Sequence, residues 1–147
     1  MFTLLLVEDN ALIVELLTQI LEDDYDVITA PNGQAGVELA RRERPDLILM
    51  DLTMPVMDGW SAIKLIRAEW ATCRIPIIAL SAVSEPAEVK RALALGADGH
   101  VRKPIDEPAL FAMIERMLGG RASQPSGVRV KREAVAEAIR RAADSEK

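Results

Sequence analysis

With 147 residues, half of them apolar, the chain can build one substantial hydrophobic core without staples, and its single cysteine, Cys73, has no partner for a disulfide within the chain. Residues 1–120 carry 11 Lys and Arg against 19 Asp and Glu, a net charge of −8, whereas residues 121–147 carry 7 against 4, a net of +3. An acidic body argues against general binding to nucleic-acid phosphates, and a lone thiol together with a first apolar run too short to span a bilayer predicts a cytoplasmic protein off the membrane.

The first apolar run, "FTLLLV", is continuous and reads as a strand buried on both faces; Glu8 and Asp9 follow it directly. "NALIVELLTQILED" then has helical period, and "DVITA" reads as a second strand. The third strand, "DLILM", leads straight into Asp51, where an ionised carboxylate is costly among apolar neighbours, and then into the turn formers of "LTMPVMDG". "WSAIKLIRAEW" is helical, and "IPIIAL" is a fourth buried strand closing on Ser81. Pro86 suits the first turn of a fourth helix, with Ser84 as its cap. The weaker run "GHV" is a fifth strand with Lys103 beyond it, and Glu107–Leu118 makes a fifth helix. Five strands alternating with helices, several of them apolar throughout, predict a doubly wound parallel α/β sheet covered on both faces.

After Leu118 the pattern breaks in "GGRASQPSG", so residues 119–130 are expected to be a linker and 131–147 a short helical tail. Val135, Ala138, Ile139 and Ala142 fall along one face of that tail. A helix over residues 128–143 is expected to bury Val135 and Ile139 against protein and to help set dimerisation or target choice.

In a doubly wound sheet, ligands bind beyond the carboxyl ends of the strands where strand order reverses. If the first and third strands are neighbours, Glu8, Asp9 and Asp51 converge there, and three like charges at close range call for a hard divalent cation with oxygen ligands, Mg²⁺ or Mn²⁺. Ser81 and Lys103, at the ends of the fourth and fifth runs, add a hydroxyl and an ammonium suited to phosphoryl oxygens. The combination reads as phosphoryl transfer onto a carboxylate, with Asp51 the nucleophile.

On the acidic pair in "LLVEDN" and on "DLILMDLTMPVMDG", "ALSA" and "GADGHVRKP", taken in order at strand ends, the sequence resembles the receiver domain of two-component response regulators, from about Thr3 to Leu118. The resemblance implies a flavodoxin-like sheet of order 2-1-3-4-5 with five flanking helices and a receiver unit over residues 1–118. It implies that Asp51 is the phosphoacceptor and that Glu8, Asp9, Asp51 and the backbone carbonyl of Thr53 contact the metal. It further implies that Ser81 is the switch hydroxyl, that Lys103 contacts the phosphoryl group, and that the Lys103–Pro104 bond is cis. The phosphoryl donor it implies is a histidine kinase or a histidine phosphotransfer protein. Slow loss of the phosphate to water makes "enzyme" only partly apt.

His100 departs from the family, which most often has Tyr or Phe three residues before the lysine, a ring that turns inward or outward with phosphorylation; a smaller, titratable imidazole points to a different coupling between Asp51 and this surface, and the alternative is an ordinary exposed histidine at a strand end. Met50, Met54, Met57, Trp60 and Trp70 read as packing residues, Trp60 beside the acid site.

Two rival functions stand beside this one. A haloacid-dehalogenase-type phosphatase also phosphorylates an Asp on a doubly wound sheet, but it wants a second Asp two residues later, where this chain has Thr53. A flavodoxin-like flavin carrier would meet an acidic first loop that repels a flavin phosphate. Within the receiver reading, the 29 residues after Leu118 hold no DNA-binding output module, so signalling through contact with an unknown protein target is expected, with a phosphorelay shuttle as the alternative and a homodimer possible.

Overall fold

The computed structural model describes residues 1–54, 56–82 and 85–119. Elements follow in the order β1 (Thr3–Val7), α1 (Ala11–Leu21), β2 (Asp26–Ala30), α2 (Gly33–Glu43), β3 (Leu47–Asp51), α3 (Gly59–Ala68), β4 (Ile77–Ser81), α4 (Pro86–Leu95), β5 (Gly99–Arg102) and α5 (Glu107–Met117). The five strands form one parallel sheet in the order β2-β1-β3-β4-β5. This is the doubly wound architecture expected from the alternating runs, in the flavodoxin-like strand order that the resemblance implied.

The continuous apolar runs are explained by burial on both faces, since successive side chains of a strand point to opposite sides. Leu4, Leu6, Leu49, Leu80 and Val101 face one layer, where Leu17 and Ile20 of α1 and Leu110 and Ile114 of α5 cover them. Leu5, Val7, Ile48, Met50 and Ala79 face the other, against Val37 of α2, Ala62 and Ile66 of α3, and Ala92 of α4. Every residue of β3 and β4 is buried, whereas the edge strand β2 is mostly half-buried or exposed.

Helix starts are set by side-chain caps that satisfy otherwise orphaned N–H groups. Asn10 accepts from the backbone of Leu12 and Ile13, Asn32 from Ala35, and Asp58 from Ser61. Pro86 opens α4 as expected, but the capping position falls to Glu85, which makes no side-chain cap bond, and Ser84 lies outside the described residues. Trp70 is not a packing residue: Glu69, the α3 C-cap, takes an extended conformation that carries the next residue off the helix face, leaving Trp70 89% exposed. The linker from residue 120 and the tail over 131–147, including the helix expected at 128–143, lie outside the described residues. No described helix is long and apolar enough to cross a membrane.

Candidate functional site

Strand register assembles the site. β1 and β3 are parallel neighbours with Val7 opposite Met50, so the next residue of each, Glu8 and Asp51, stands level at the carboxyl edge of the sheet. Glu8, Asp9 and Asp51 each bring a carboxylate oxygen within 4.8 Å of the others, with Glu8 and Asp51 buried and Asp9 exposed. Asp51 lies opposite Leu80 of β4, and Ser81, the last residue of that strand, is buried just beyond.

β5 delivers the cation. The Lys103 backbone N–H donates to the carbonyl of Ser81 at 2.8 Å, which extends the β4–β5 ladder to the sheet edge. Its ammonium donates to Glu8 Oε1 at 2.6 Å and lies 3.4 Å from Asp51 Oδ1. The Lys103–Pro104 peptide bond is cis, as the resemblance implied. Thr53, two residues past Asp51, donates its backbone N–H to Asp51 Oδ1 at 3.3 Å. All six residues singled out in the sequence therefore gather at one edge of the sheet: four through their charged groups, Thr53 through its backbone, and Ser81 through its burial beside Asp51.

One lysine does not balance three carboxylates. Burial, and next the Asp51 carboxyl group, push Glu8 up to about 8 against the opposing pull of Lys103. Glu8 Oε2 is buried and has no hydrogen-bond partner among the described residues. A buried oxygen without a donor beside two further carboxylates suits a hard cation such as Mg²⁺ or Mn²⁺, which binds oxygen and relieves the repulsion.

The loop after Asp51 is closed by a contact that needs glycine. A Cβ on Gly59 would lie 2.1 Å from the Asp51 carbonyl oxygen and 2.7 Å from Leu52 Cα, so any side chain there would displace the loop or α3. In the same loop Val56 sits at a φ of 69°, a left-handed conformation costly for a β-branched residue. Trp60 lies under the Arg91 guanidinium, 4.3 Å above its ring, a link from α3 to α4. Sequence reasoning missed Arg91 and the pairing of Lys103 with Glu8, because both contacts join residues that only the packed sheet and helices bring together.

His100 is half-buried, not exposed at a strand end. It pairs with Ala79 in register, its Nε2 is buried with no hydrogen-bond partner among the described residues, and burial holds its pKa below the usual 6.5.

A doubly wound sheet with an acidic cluster and a lysine at its carboxyl edge defines a class of α/β protein that handles phosphoryl groups or cations at the point where strand order reverses. The model of the response regulator receiver domain matches residues 4–115, and the chain belongs to that family. It is 34% identical over 121 residues to protein PilH of Pseudomonas aeruginosa, covering 82% of this chain and all of PilH. It is 34% identical over 115 residues to the chemotaxis protein CheY of Halobacterium salinarum, covering 78% of this chain and 94% of CheY. Longer relatives match as well: the chain spans 52% of the transcriptional regulatory protein CseB of Streptomyces avermitilis, at 40% identity and over 83% of its own length. Among solved structures, the receiver domain of a Pseudomonas aeruginosa sensor histidine kinase, with a magnesium ion coordinated in its active-site cleft, aligns with a TM-score of 0.75 at 35% identity, covering 80% of this chain and 98% of that one.

Proposed function

We propose that the chain is a phosphorylation-switched response regulator whose Asp51 accepts a phosphoryl group from a histidine kinase or a histidine phosphotransfer protein. The observation that carries this reading is the convergence of Glu8, Asp9 and Asp51 within 4.8 Å, with the Lys103 ammonium against two of the three. In the transfer, an Asp51 carboxylate oxygen forms a bond to phosphorus while the bond from phosphorus to the donor imidazole nitrogen breaks, the electron pair staying on nitrogen. Lys103 is placed to meet the charge of the incoming group, the Ser81 hydroxyl to donate to one of its oxygens, and the Thr53 N–H to hold Asp51 in line. Glu8, Asp9, Asp51 and the Thr53 carbonyl would hold Mg²⁺ or Mn²⁺, which when bound supplies positive charge to the phosphoryl oxygens. Water later displaces the phosphate and restores the Asp51 carboxylate. The magnesium ion in the cleft of the related kinase receiver domain supports this choice of metal.

The added charge at Asp51 biases α4, β5 and α5 between two packings, and the output is contact with a protein target. The receiver unit of this proposal is residues 1–118, joined through 119–130 to the tail at 131–147, and the protein works in the cytoplasm. The phosphatase alternative lacks its general acid, because the residue two positions after Asp51 is Thr53. Acetyl phosphate labelling with and without Mg²⁺ tests the proposal: the parent is labelled only with the cation, and Asp51→Asn not at all. Equal labelling of Asp51→Asn refutes the assignment.

A further inference from the structure

At the amino-terminal edge of β3 and β4, the opposite end of the sheet from Asp51, the α2–β3 and α3–β4 loops enclose an open depression of about 350 Å³. Its lining includes Arg44, Asp46, Trp70, Arg74 and Pro76. From these residues we infer that the depression is a binding site for a guanine nucleotide, with the base stacked on Trp70, its N1–H and exocyclic 2-amino group donating to Asp46, and its phosphates on Arg44 and Arg74.

Four observations support this inference. Trp70 is 89% exposed, so its indole face is open for stacking. Arg44 and Arg74 are exposed and have no ion pair among the described residues, whereas nearby Arg41, Arg42 and Arg67 are paired with Glu69, Glu43 and Asp98. Two free guanidinium groups on a body of net −8 mark this spot for an anion, and guanidinium suits phosphate oxygens in paired contacts. Arg44 also occupies the left-handed C-cap of α2, with φ 45°, a position where glycine is the economical residue; strain of this kind clusters at functional positions.

Asp46 supplies the choice of base. Its backbone N–H donates to the Thr3 carbonyl at 2.8 Å, and its Oδ2 accepts from the Thr3 N–H at 2.7 Å, which fixes the carboxylate. Oδ1 makes no hydrogen bond among the described residues. A fixed carboxylate accepts from the two adjacent N–H donors of a guanine Watson–Crick edge; adenine offers it a single amino group beside a ring acceptor. The volume matches the small end of ligand sites. None of this depends on the role proposed for Asp51.

The test is isothermal titration of the full chain with GTP, ATP and guanosine, in chelator so that nothing binds through a cation at the carboxylate cluster. GTP is expected to bind about tenfold more tightly than ATP. Trp70→Ala should weaken GTP about tenfold. Arg44→Ala with Arg74→Ala should weaken GTP to the level of guanosine while leaving guanosine itself unchanged. Asp46→Asn keeps an acceptor for Thr3 and should erase the preference for GTP over ATP. Far-ultraviolet circular dichroism checks that each variant is folded. GTP binding that is absent at millimolar concentration, unaffected by Trp70→Ala, or no tighter than ATP overturns the inference. So does Trp70-dependent binding of pentaglutamate without binding of GTP, an outcome that makes the depression a docking surface for an acidic protein segment.

Discussion

Val56 and His100 each have a local conformation or burial that conflicts with their chemistry. Val56 is 78% exposed, so it contributes little packing, yet its φ of 69° crowds a β-branched side chain. Val56→Asn, which tolerates that region, is expected to raise the unfolding free energy by about 1 kcal/mol in urea titration. For His100, burial lowers the native pKa below the unfolded value, so the unfolded chain binds the proton more readily. Its contribution is therefore fully present above pH 6.5 and is lost as pH falls through the lowered native value. His100→Phe removes that loss and leaves no polar atom in the site of Nε2. The drop in stability between pH 7.5 and 5.5 should be smaller in His100→Phe than in the parent, measured by thermal unfolding at both pH values; equal drops would show that His100 does not titrate on unfolding.

The helices differ in how firmly they are held, and α4 is the least anchored. α1, α2 and α3 begin on Asn10, Asn32 and Asp58, each with a side-chain cap bond, but α4 begins on Glu85 with none and has only Ala92 fully buried. What fixes it is a shared clamp: Arg67 of α3 donates to the carbonyls of Gly96, Cys73 and Ile75 and pairs with Asp98, which in turn accepts from the Ile77 N–H. Gly96 ends α4 at φ 124°, and a Cβ there would lie 2.6 Å from the Arg67 side chain. Amide exchange in α4 is accordingly expected to be faster than in α1. Glu85 already has the extended backbone of a cap, so Glu85→Ser should add a cap bond and raise stability by about 1 kcal/mol, read as a shift in the denaturant midpoint at constant slope.

At the scale of the molecule, one sheet with two apolar layers holds a cluster of charge at its edge, and the core tolerates the repulsion among Glu8, Asp9 and Asp51. A cation bound by the folded state alone stabilises it by mass action, about 1.4 kcal/mol when Mg²⁺ is at ten times its Kd. Mg²⁺ is therefore expected to raise the melting temperature and a chelator to reverse the rise. Asp51→Asn should melt higher than the parent without metal, because it removes a carboxylate charge beside the buried Glu8 carboxyl group, and should respond less to Mg²⁺. A parent whose melting temperature ignores Mg²⁺ would count against a cation site at the cluster.

The sequence alone determined the fold class and the placing of charged residues at the ends of the strands, and for a physical reason. A parallel sheet buried on both faces leaves unbroken apolar runs in β1, β3 and β4, and charged residues can follow such runs only where a strand leaves the core. Glu8 and Asp51 were legible in that way, by position along the chain, and Lys103 by its place beyond the weaker run of β5. Strand order was not, because the same alternation is compatible with other windings of the sheet; the resemblance supplied it and the ladders from β2 to β5 established it. Tertiary structure alone decided which charges meet. The Lys103–Glu8 pair joins residues 95 positions apart, the buried Oε2 of Glu8 depends on what packs above it, and Trp70 is exposed because the chain turns at Glu69. Distance, burial and electrostatic coupling belong to the packed state, since they depend on neighbours that no local pattern specifies.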